Sequence, residues 1–259
     1  MKPANLVLVP GWGLGHAAWA SLLPELCAHF CVQLVEFTGY TAQENIAEQA
    51  ARLRLNEASF AQSAQMLADA LPENSVLLGW SLGSLVALKV ASLAPARLRG
   101  LILIGSTPCF VQRANWLAAQ TPALLDSFCT ELAENPATTI RRFIALFNQG
   151  DEQARALGRS LTRALASAPL PDTDALLNGL SWLRDVDLRD EIAHVSTPTL
   201  LMHGANDPLM PLAAAVWLQK NLACALLDIL PATAHAPFLA DPQGFVHRLT
   251  DFANALPSP

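Results

Sequence analysis

The stretch VLLGWSLGSLVAL, Val76–Leu88, decides how the rest of the sequence is interpreted. One hydroxyl, on Ser81, interrupts a run of small and apolar residues, and Gly79 and Gly83 stand two positions away on either side. The five residues fit G-x-S-x-G, directly after a predicted strand and directly before a predicted helix. In such a unit the serine has a strained backbone and its hydroxyl points out of the sheet. We therefore predict a nucleophile, and the alternative is a glycine-rich turn with a solvated serine.

Short apolar runs alternate with helical patterns along most of the chain. Parallel strands that are covered on both faces are expected to be continuously apolar, as these runs are. The predicted strands cover residues 5–9, 32–37, 75–80, 98–105, 198–204 and 225–230, and the predicted helices cover 16–29, 59–71, 83–94, 212–222 and 242–255. This alternation predicts an α/β fold with a mostly parallel, doubly wound sheet.

One long region breaks the alternation. Between residues 109 and 189 the pattern is helical, contains no convincing strand and is interrupted by prolines and a glycine. We predict that residues 1–108 and 190–259 form the core domain and that residues 109–189 form an α-helical cap (lid) inserted between two strands. The cap is expected over the carboxyl edge of the sheet, where open α/β sheets bind their ligands.

The composition restricts the class of function. Of the 259 residues, 52% are hydrophobic and 15% charged, so the chain can form a sizeable core. A formal net charge of −6 argues against general nucleic-acid binding. The cysteines lack the spacing of metal ligands, and no apolar run is long enough to span a bilayer. We expect a monomer in the reducing cytoplasm, with no metal or organic cofactor and no nucleic-acid or membrane partner.

A serine nucleophile needs a histidine base, and the histidine needs a carboxylate that fixes its tautomer. His235 lies in a loop between the last predicted strand and the last predicted helix, and Asp207 follows the preceding strand. They complete the chain order serine, acid, histidine. His203 is the alternative base. Asp228 and Asp241 are less well placed candidates for the acid. The alternative role for Asp207 is an ordinary Asx turn before Pro208. The remaining histidines are expected at the surface or at helix ends: His16, His29, His194 and His247.

Two backbone amides are expected to bind the oxyanion of an acyl-transfer intermediate. The amide of Leu82 follows the nucleophile, and that of Trp12 lies in the glycine-rich loop after the first strand. The Trp12 indole is also a candidate wall of the acyl pocket. The alternative for this loop is a tight turn with a packed indole.

Several stretches together resemble a known family. They are PGWG (10–13), GWSLG (79–83), STPCF (106–110), HGANDPLMP (203–211) and ATAHAPFLADP (232–242). From about Leu6 onward, the chain resembles the pimeloyl-acyl carrier protein methyl ester carboxylesterases of biotin synthesis, which have the α/β-hydrolase fold. The resemblance implies Ser81, Asp207 and His235 as the catalytic triad. It also implies substrate and oxyanion contacts at Trp12 and Leu82, and a helical cap.

The sequence departs from this family in a few places. Pro10 stands where the family usually has histidine, and the strand expected before the first one here is largely absent, which implies a sheet trimmed at one edge. In RRFIALFNQG (141–150), Phe143 matches a substrate-contacting position of the family. Phe147 stands where a glutamine is familiar, so the contacts with the acyl chain are expected to differ there.

The predicted cap carries a basic stripe on an acidic protein. Its members are Arg141, Arg142, Arg155, Arg159 and Arg163. The last three are spaced by four residues and therefore share one helix face. A basic stripe beside an active site steers an acidic partner, and the resemblance implies that this partner is acyl carrier protein. The alternative is a solvated helix face with local ion pairs to Asp151 and Glu152.

Taken together, these residues predict a serine carboxylesterase. Its expected substrate is the methyl ester of pimeloyl-acyl carrier protein, hydrolysed to a free carboxylate in biotin synthesis, and small esters are expected to react too. The alternatives with the same fold are a carboxylesterase, lactonase or thioesterase that is independent of a carrier protein, and a lyase or acyltransferase. A non-catalytic ligand receptor is the alternative from a different class.

Overall fold

The computed structural model describes residues 3–40, 50–55, 59–166 and 170–257. Seven strands form one sheet in the order β3-β2-β1-β4-β5-β6-β7, and every neighbouring pair is parallel. The strands are β1 Ala4–Val9, β2 Phe30–Phe37, β3 Ala51–Leu55, β4 Ser75–Trp80, β5 Leu98–Ile104, β6 Thr199–Gly204 and β7 Ala225–Leu230. The prediction of a parallel, doubly wound α/β sheet is confirmed.

Ten α-helices lie in the described part of the chain. They are α1 Leu23–His29, α2 Phe60–Ala70, α3 Leu82–Leu93, α4 Pro122–Glu134, α5 Pro136–Phe147, α6 Ala154–Ala166, α7 Thr173–Asp185, α8 Leu212–Asn221, α9 Pro237–Ala240 and α10 Pro242–Ala255. None of these described helices has the length and apolarity required to cross a membrane.

The strand order places the first two functional loops side by side. The chain runs from β1 outward to β3, then returns to pair β4 with the other side of β1. Strands β4 and β6 are buried along their whole length, which explains their unbroken apolar sequences. The switch in direction between β1 and β4 leaves a crevice at the carboxyl edge, and both the Trp12 loop and Ser81 follow these strands.

Strand β3 was not predicted, and its position in the sheet explains why. It is an edge strand, paired only with β2, and its sequence ARLRL alternates arginine with apolar side chains. Its arginines face the neighbouring strand, where the buried Glu36 carboxylate lies 3.3 Å from Arg52 Nη1 and 2.9 Å from Arg54 Nε. A half-exposed edge strand does not need the continuous apolar run on which the prediction depended.

The predicted helix over residues 16–29 is wrong in its continuity. The chain forms a 3₁₀ turn at Gly15–Trp19 and then starts α1 at Leu23. Pro24 accounts for the break, because proline has no amide hydrogen for an interior helical bond but is well tolerated in a first turn. The turn brings the buried Trp19 against Trp80, with ring centroids 6.1 Å apart.

Four helices, α4 to α7, lie between β5 and β6. We call residues 109–189 the helical segment, of which 109–166 and 170–189 are described. Its two ends meet, because Cys109 and Asp187 form an isolated antiparallel bridge and the amide of Leu188 donates to the carbonyl of Pro108 over 2.9 Å. The described part of the segment contributes no strand to the sheet. Its role as a separate cap stays a prediction.

The glycines around Ser81 allow very close backbone packing. A Cβ atom on Gly79 would lie 2.3 Å from the carbonyl oxygen of Gly83, and one on Gly83 would lie 2.3 Å from that of Val9. Both contacts are with backbone, which cannot rotate away as a flexible side chain would. Strand β1, strand β4 and helix α3 therefore meet at a distance that only glycine permits.

Replacing Gly79 with alanine is expected to lower the free energy of unfolding by about 1–3 kcal/mol, because the added methyl group overpacks the junction. Urea denaturation followed by circular dichroism measures the change. Gly158→Ala is the matched control, since Gly158 lies in α6 with nothing within 4 Å of an added Cβ. Alanine favours a helix interior by about 0.5–1 kcal/mol there. Equal destabilisation by both substitutions would contradict the packing argument.

Candidate active site

Ser81 occupies the turn between β4 and α3. Its backbone angles are φ 57° and ψ −120°, a left-handed conformation that costs a non-glycine residue about 1–3 kcal/mol. Its amide donates to the carbonyl of Ile104 at the end of β5 over 3.0 Å, and Ser84 Oγ donates to the Ser81 carbonyl over 2.6 Å. These bonds hold the serine in the strained geometry that the sequence motif predicts.

His235 and Asp207 form a buried hydrogen-bonded pair. Nδ1 of His235 lies 2.7 Å from Oδ2 of Asp207, and both side chains are fully buried. The other carboxylate oxygen, Oδ1, accepts the amides of Leu209 and Met210, each over 2.9 Å. Burial alone would raise the pKa of Asp207, but its bonds with His235 and the charge of that ring hold the pKa below its ordinary value. An ionised Asp207 requires Nδ1 to carry the proton, which leaves Nε2 as the basic nitrogen.

Ser81 and His235 each lie beside the carboxyl end of β5. Ser81 binds Ile104, and the next residue, Gly105, lies directly against the imidazole: a Cβ atom there would be 2.8 Å from His235 Nδ1. Nε2 of His235 is buried and has no hydrogen-bond partner within the described residues. The Trp80 indole donates to the His235 carbonyl over 2.9 Å, which ties the loop of the base to the residue before the serine. Nε2 of His235 therefore remains available as an acceptor in this buried region.

His203, the alternative base, contacts the same oxygen of Asp207 as His235 does, but at a longer distance. Its Nε2 is 2.7 Å from the carbonyl oxygen of Met210, so this nitrogen carries a proton and donates. It is also 3.7 Å from Asp207 Oδ2, and burial lowers the pKa of the His203 ring. With Nε2 engaged in this way, His203 supports the Asp207 loop, whereas it is the His235 ring that lies against Gly105 at the end of β5.

The two predicted oxyanion donors follow the neighbouring strands β1 and β4. Leu82 is the first residue of α3, where amides have no partner inside the helix. Neither its amide nor that of Trp12 donates a backbone hydrogen bond in the described ranges of the chain. The loop after β1 is anchored by the Trp12 indole, which donates to the carbonyl of Leu176 in α7 over 2.8 Å, and by the Gly13 amide, which donates to Tyr40 Oη over 3.0 Å.

Aromatic rings from the core and the helical segment interlock over this loop. Trp12 contacts Phe143 edge to face at a centroid distance of 4.9 Å and Phe128 at 6.1 Å. Phe147 lies between Phe143, at 5.2 Å, and Trp80, at 5.8 Å, and is 6.2 Å from the His235 ring. Both phenylalanines named from the sequence are thus buried, and Phe147 packs against the His235 ring. Phe128 was not named, because a buried phenylalanine in α4 reads as an ordinary core residue.

The five arginines of the basic stripe differ in their surroundings. Arg155, Arg159 and Arg163 are exposed along α6 and make no ion pair with Asp151, Glu152 or any other described residue. Arg141 is exposed at the rim of a 260 Å³ groove between α5 and α6. Arg142 is engaged within the helical segment, because it pairs with Glu131 and lies 5.0 Å from the centre of the Phe128 ring.

Two supports of the candidate site and one buried histidine escaped the sequence interpretation. Tyr40 supports the Trp12 loop, and burial raises the pKa of its hydroxyl above its usual range, so it remains neutral. Gly204 closes β6 so tightly against the His235 loop that a Cβ atom would lie 1.9 Å from the Ala234 carbonyl oxygen. His16, which was expected at the surface, is buried with Nε2 3.0 Å from the Val35 carbonyl oxygen. None of these contacts has a local sequence signal, because each joins residues that are distant in the chain.

Comparison with known proteins agrees with this geometry. The family profile described as alpha/beta hydrolase fold matches residues 4–242. The chain is 36% identical to the pimeloyl-acyl carrier protein methyl ester esterase of Pectobacterium atrosepticum, over 97% of this chain and 94% of that protein. It is 37% identical to the protein of the same name from Vibrio parahaemolyticus, over 96% and 94%.

Solved structures show the same architecture at lower identity. The esterase EaEST from Exiguobacterium antarcticum superposes with a TM-score of 0.80 at 22% identity, covering 98% of this chain and 93% of that one. The esterase RhEst1 from Rhodococcus sp. superposes with a TM-score of 0.75 at 20% identity, covering 98% and 92%. The chain therefore belongs to the alpha/beta hydrolase fold family, in which the pimeloyl-acyl carrier protein methyl ester esterases are its relatives.

Proposed function

We propose that this protein is a serine carboxylesterase in which Ser81 is the nucleophile, His235 the base and Asp207 the acid that orients it. The observation that carries the proposal is the 2.7 Å contact between His235 Nδ1 and Asp207, with the Nε2 side of the ring unpartnered beside the serine turn. A buried carboxylate that fixes one histidine tautomer next to a strained serine is the arrangement that activates a hydroxyl at neutral pH.

The reaction proceeds in two steps on these groups. His235 Nε2 takes the proton of Ser81 Oγ as the oxygen attacks the ester carbonyl, and the amides of Trp12 and Leu82 bind the oxyanion. Collapse of this intermediate expels methanol, which receives the proton from His235, and leaves the acyl group on Ser81. Water, deprotonated by His235, then cleaves the acyl-enzyme and releases the free carboxylate. None of these steps calls on a metal or organic cofactor.

The acyl chain is proposed to lie between the core and the helical segment, which acts as a cap. Trp12, Phe143 and Phe147 supply an apolar surface beside the base, suited to a methylene chain. A crevice beside Leu82, bounded by Tyr40 and Trp182, holds only about 10 Å³, roughly one water molecule. Entry by this crevice therefore requires α7 to move away from the loop after β2.

The proposed substrate is the methyl ester of pimeloyl-acyl carrier protein, with the carrier bound to the arginines of the helical segment. The names of the relatives support the substrate, and the unpaired arginines of α6 support the docking surface. Exposed cations without partners attract an acidic protein more strongly than paired ones. A cytoplasmic location is part of the proposal and agrees with five free cysteines.

Reversing two of these charges, in the double variant Arg155→Glu with Arg159→Glu, is expected to lower kcat/KM for the carrier-bound ester by about tenfold or more, because the encounter with an acidic partner is steered by charge. The kcat/KM for a small p-nitrophenyl ester should stay unchanged, since the small ester does not use the arginines. Both values are measured on the same preparation, at low and at high salt. High salt should reduce the difference in kcat/KM between the variant and the parent protein on the carrier-bound ester, because salt screens the charges.

Lys220→Glu is the control for charge reversal away from the arginines, and it carries half the change in net charge of the double variant. Lys220 is exposed at the end of α8, has no ion pair among the described residues and lies outside the helical segment. If the double variant loses no more activity on the carrier-bound ester than on the small one, the docking proposal fails. A carboxylesterase, lactonase or thioesterase that is independent of a carrier protein is then the better assignment.

A further inference from the structure

The end of α5 and the connection to α6 are hydrogen-bonded both to the loop that carries Asp207 and to the loop that carries His235. The carbonyl of Phe147 accepts the His235 amide over 3.2 Å, and the amide of Glu152 donates to the Ala232 carbonyl over 3.1 Å. On the acid's side, Asn206 Nδ2 donates to the Gly150 carbonyl over 2.9 Å. One short piece of the helical segment is therefore bonded to both loops at once.

Asp151 is the buried carboxylate of this connection. Its side chain is buried, and a buried carboxylate is stable only with hydrogen-bond donors around it. Oδ1 accepts the amide of Gln153 over 2.7 Å, which is a local turn before α6. Oδ2 accepts the amide of Ala234 over 3.2 Å, across 83 positions of sequence. The second bond reaches the residue directly before the base.

The loop that carries His235 needs such support. Ala232 has φ 59°, a left-handed conformation that an alanine adopts only where its surroundings impose it. Between Ala232 and His235, the loop is bound to the helical segment at three successive points: the Ala232 carbonyl, the Ala234 amide and the His235 amide. Asp151 accepts the second of these bonds, from the Ala234 amide. This bond involves a side chain and can therefore be removed by mutation.

We propose that Asp151 is a positioning residue for His235, so that the helical segment sets the geometry of the base as well as covering the site. The proposal rests on the proposed function, because it assumes that His235 is the base. A displacement of about 1 Å in a reacting group can lower a rate about a hundredfold. The carboxylate holds the loop at the position where Nδ1 of His235 contacts Asp207.

The test compares Asp151→Ala and Asp151→Asn with Glu152→Gln. Glu152 is the neighbouring carboxylate, but its side chain is exposed and has no partner among the described residues. The alanine variant is expected to lower kcat for a p-nitrophenyl ester by about ten- to a hundredfold, with KM nearly unchanged, because ground-state binding does not use the base. Asparagine keeps one acceptor oxygen and should lose less. Glu152→Gln should match the parent.

A second readout is the downfield proton resonance of the hydrogen bond between His235 Nδ1 and Asp207. It reports the geometry of the pair without turnover, and a shift or broadening in Asp151→Ala but not in Glu152→Gln supports positioning. An unchanged resonance together with unchanged kcat in a folded Asp151→Ala protein overturns the proposal. If Asp151→Ala does not fold, the same two measurements on Asp151→Asn decide. Failure of the proposed function is seen separately, as full activity in His235→Ala.

Discussion

The Ser81→Ala variant is expected to lose about 10⁴- to 10⁶-fold in kcat for ester hydrolysis, because the proposed acyl-enzyme forms on the hydroxyl that is removed. The protein should remain folded, because the hydrogen bonds that hold the turn use the amide and carbonyl of Ser81 and are therefore kept in the alanine variant. Steady-state kinetics on a p-nitrophenyl ester measures the loss. Labelling with a fluorophosphonate should give one adduct on Ser81 of the parent and none on the variant.

Ser92→Ala is the control, because Ser92 lies on the same helix, α3, and its hydroxyl binds only Lys89 and Glu191. Its kcat and labelling should equal those of the parent. Activity or labelling that persists in Ser81→Ala would remove this serine as nucleophile. A parent protein that takes no label at all would favour the non-catalytic receptor instead.

The Asp207→Asn variant is expected to lose about 10⁴-fold in kcat with little change in KM. An amide can donate to Nδ1 of His235, which then has to accept, so the proton moves to Nε2 and the base has no lone pair for the serine. Asp228→Asn is the matched control, since Asp228 lies on β7 and pairs with the partly exposed Arg248. A surface pair of that kind contributes only about 0–1 kcal/mol to stability and nothing to the site.

The second histidine beside the acid sharpens this test. His203 also contacts Asp207, so the two rings are compared directly by His235→Ala and His203→Ala. If His235 is the base, its loss should equal that of Ser81→Ala within about tenfold, because members of one catalytic unit are not additive. The reverse order of effects would assign the base to His203.

Much of the fold was predictable because its signals are local. A strand buried on both faces has to be apolar throughout, as β4 and β6 are, and the glycines around Ser81 follow from a backbone contact that excludes side chains. Strand β3 was missed because it is a partly exposed edge strand and has no continuous apolar run. Its arginines make sense only beside Glu36, a residue of another strand.

The loops of Asp207 and His235 were also predictable, since parallel strands deliver their following loops to one edge of the sheet. The 2.7 Å contact between Asp207 and His235 could not be predicted, because a distance of that size depends on how the two loops pack against the residues around them. The catalytic roles of these residues stay predictions until the variants are measured.

The alternation of strands and helices, the serine turn and the loops proposed for acid and base were predicted from the amino-acid sequence alone, through periodicity and glycine spacing. The tertiary structure decided which side chains support them. Asp151 shows the difference, because in the sequence it is an acidic neighbour of arginines and in the folded chain it binds the amide before His235. Long-range hydrogen bonds join residues that no repeat or motif relates, and only the folded chain brings them within reach of each other.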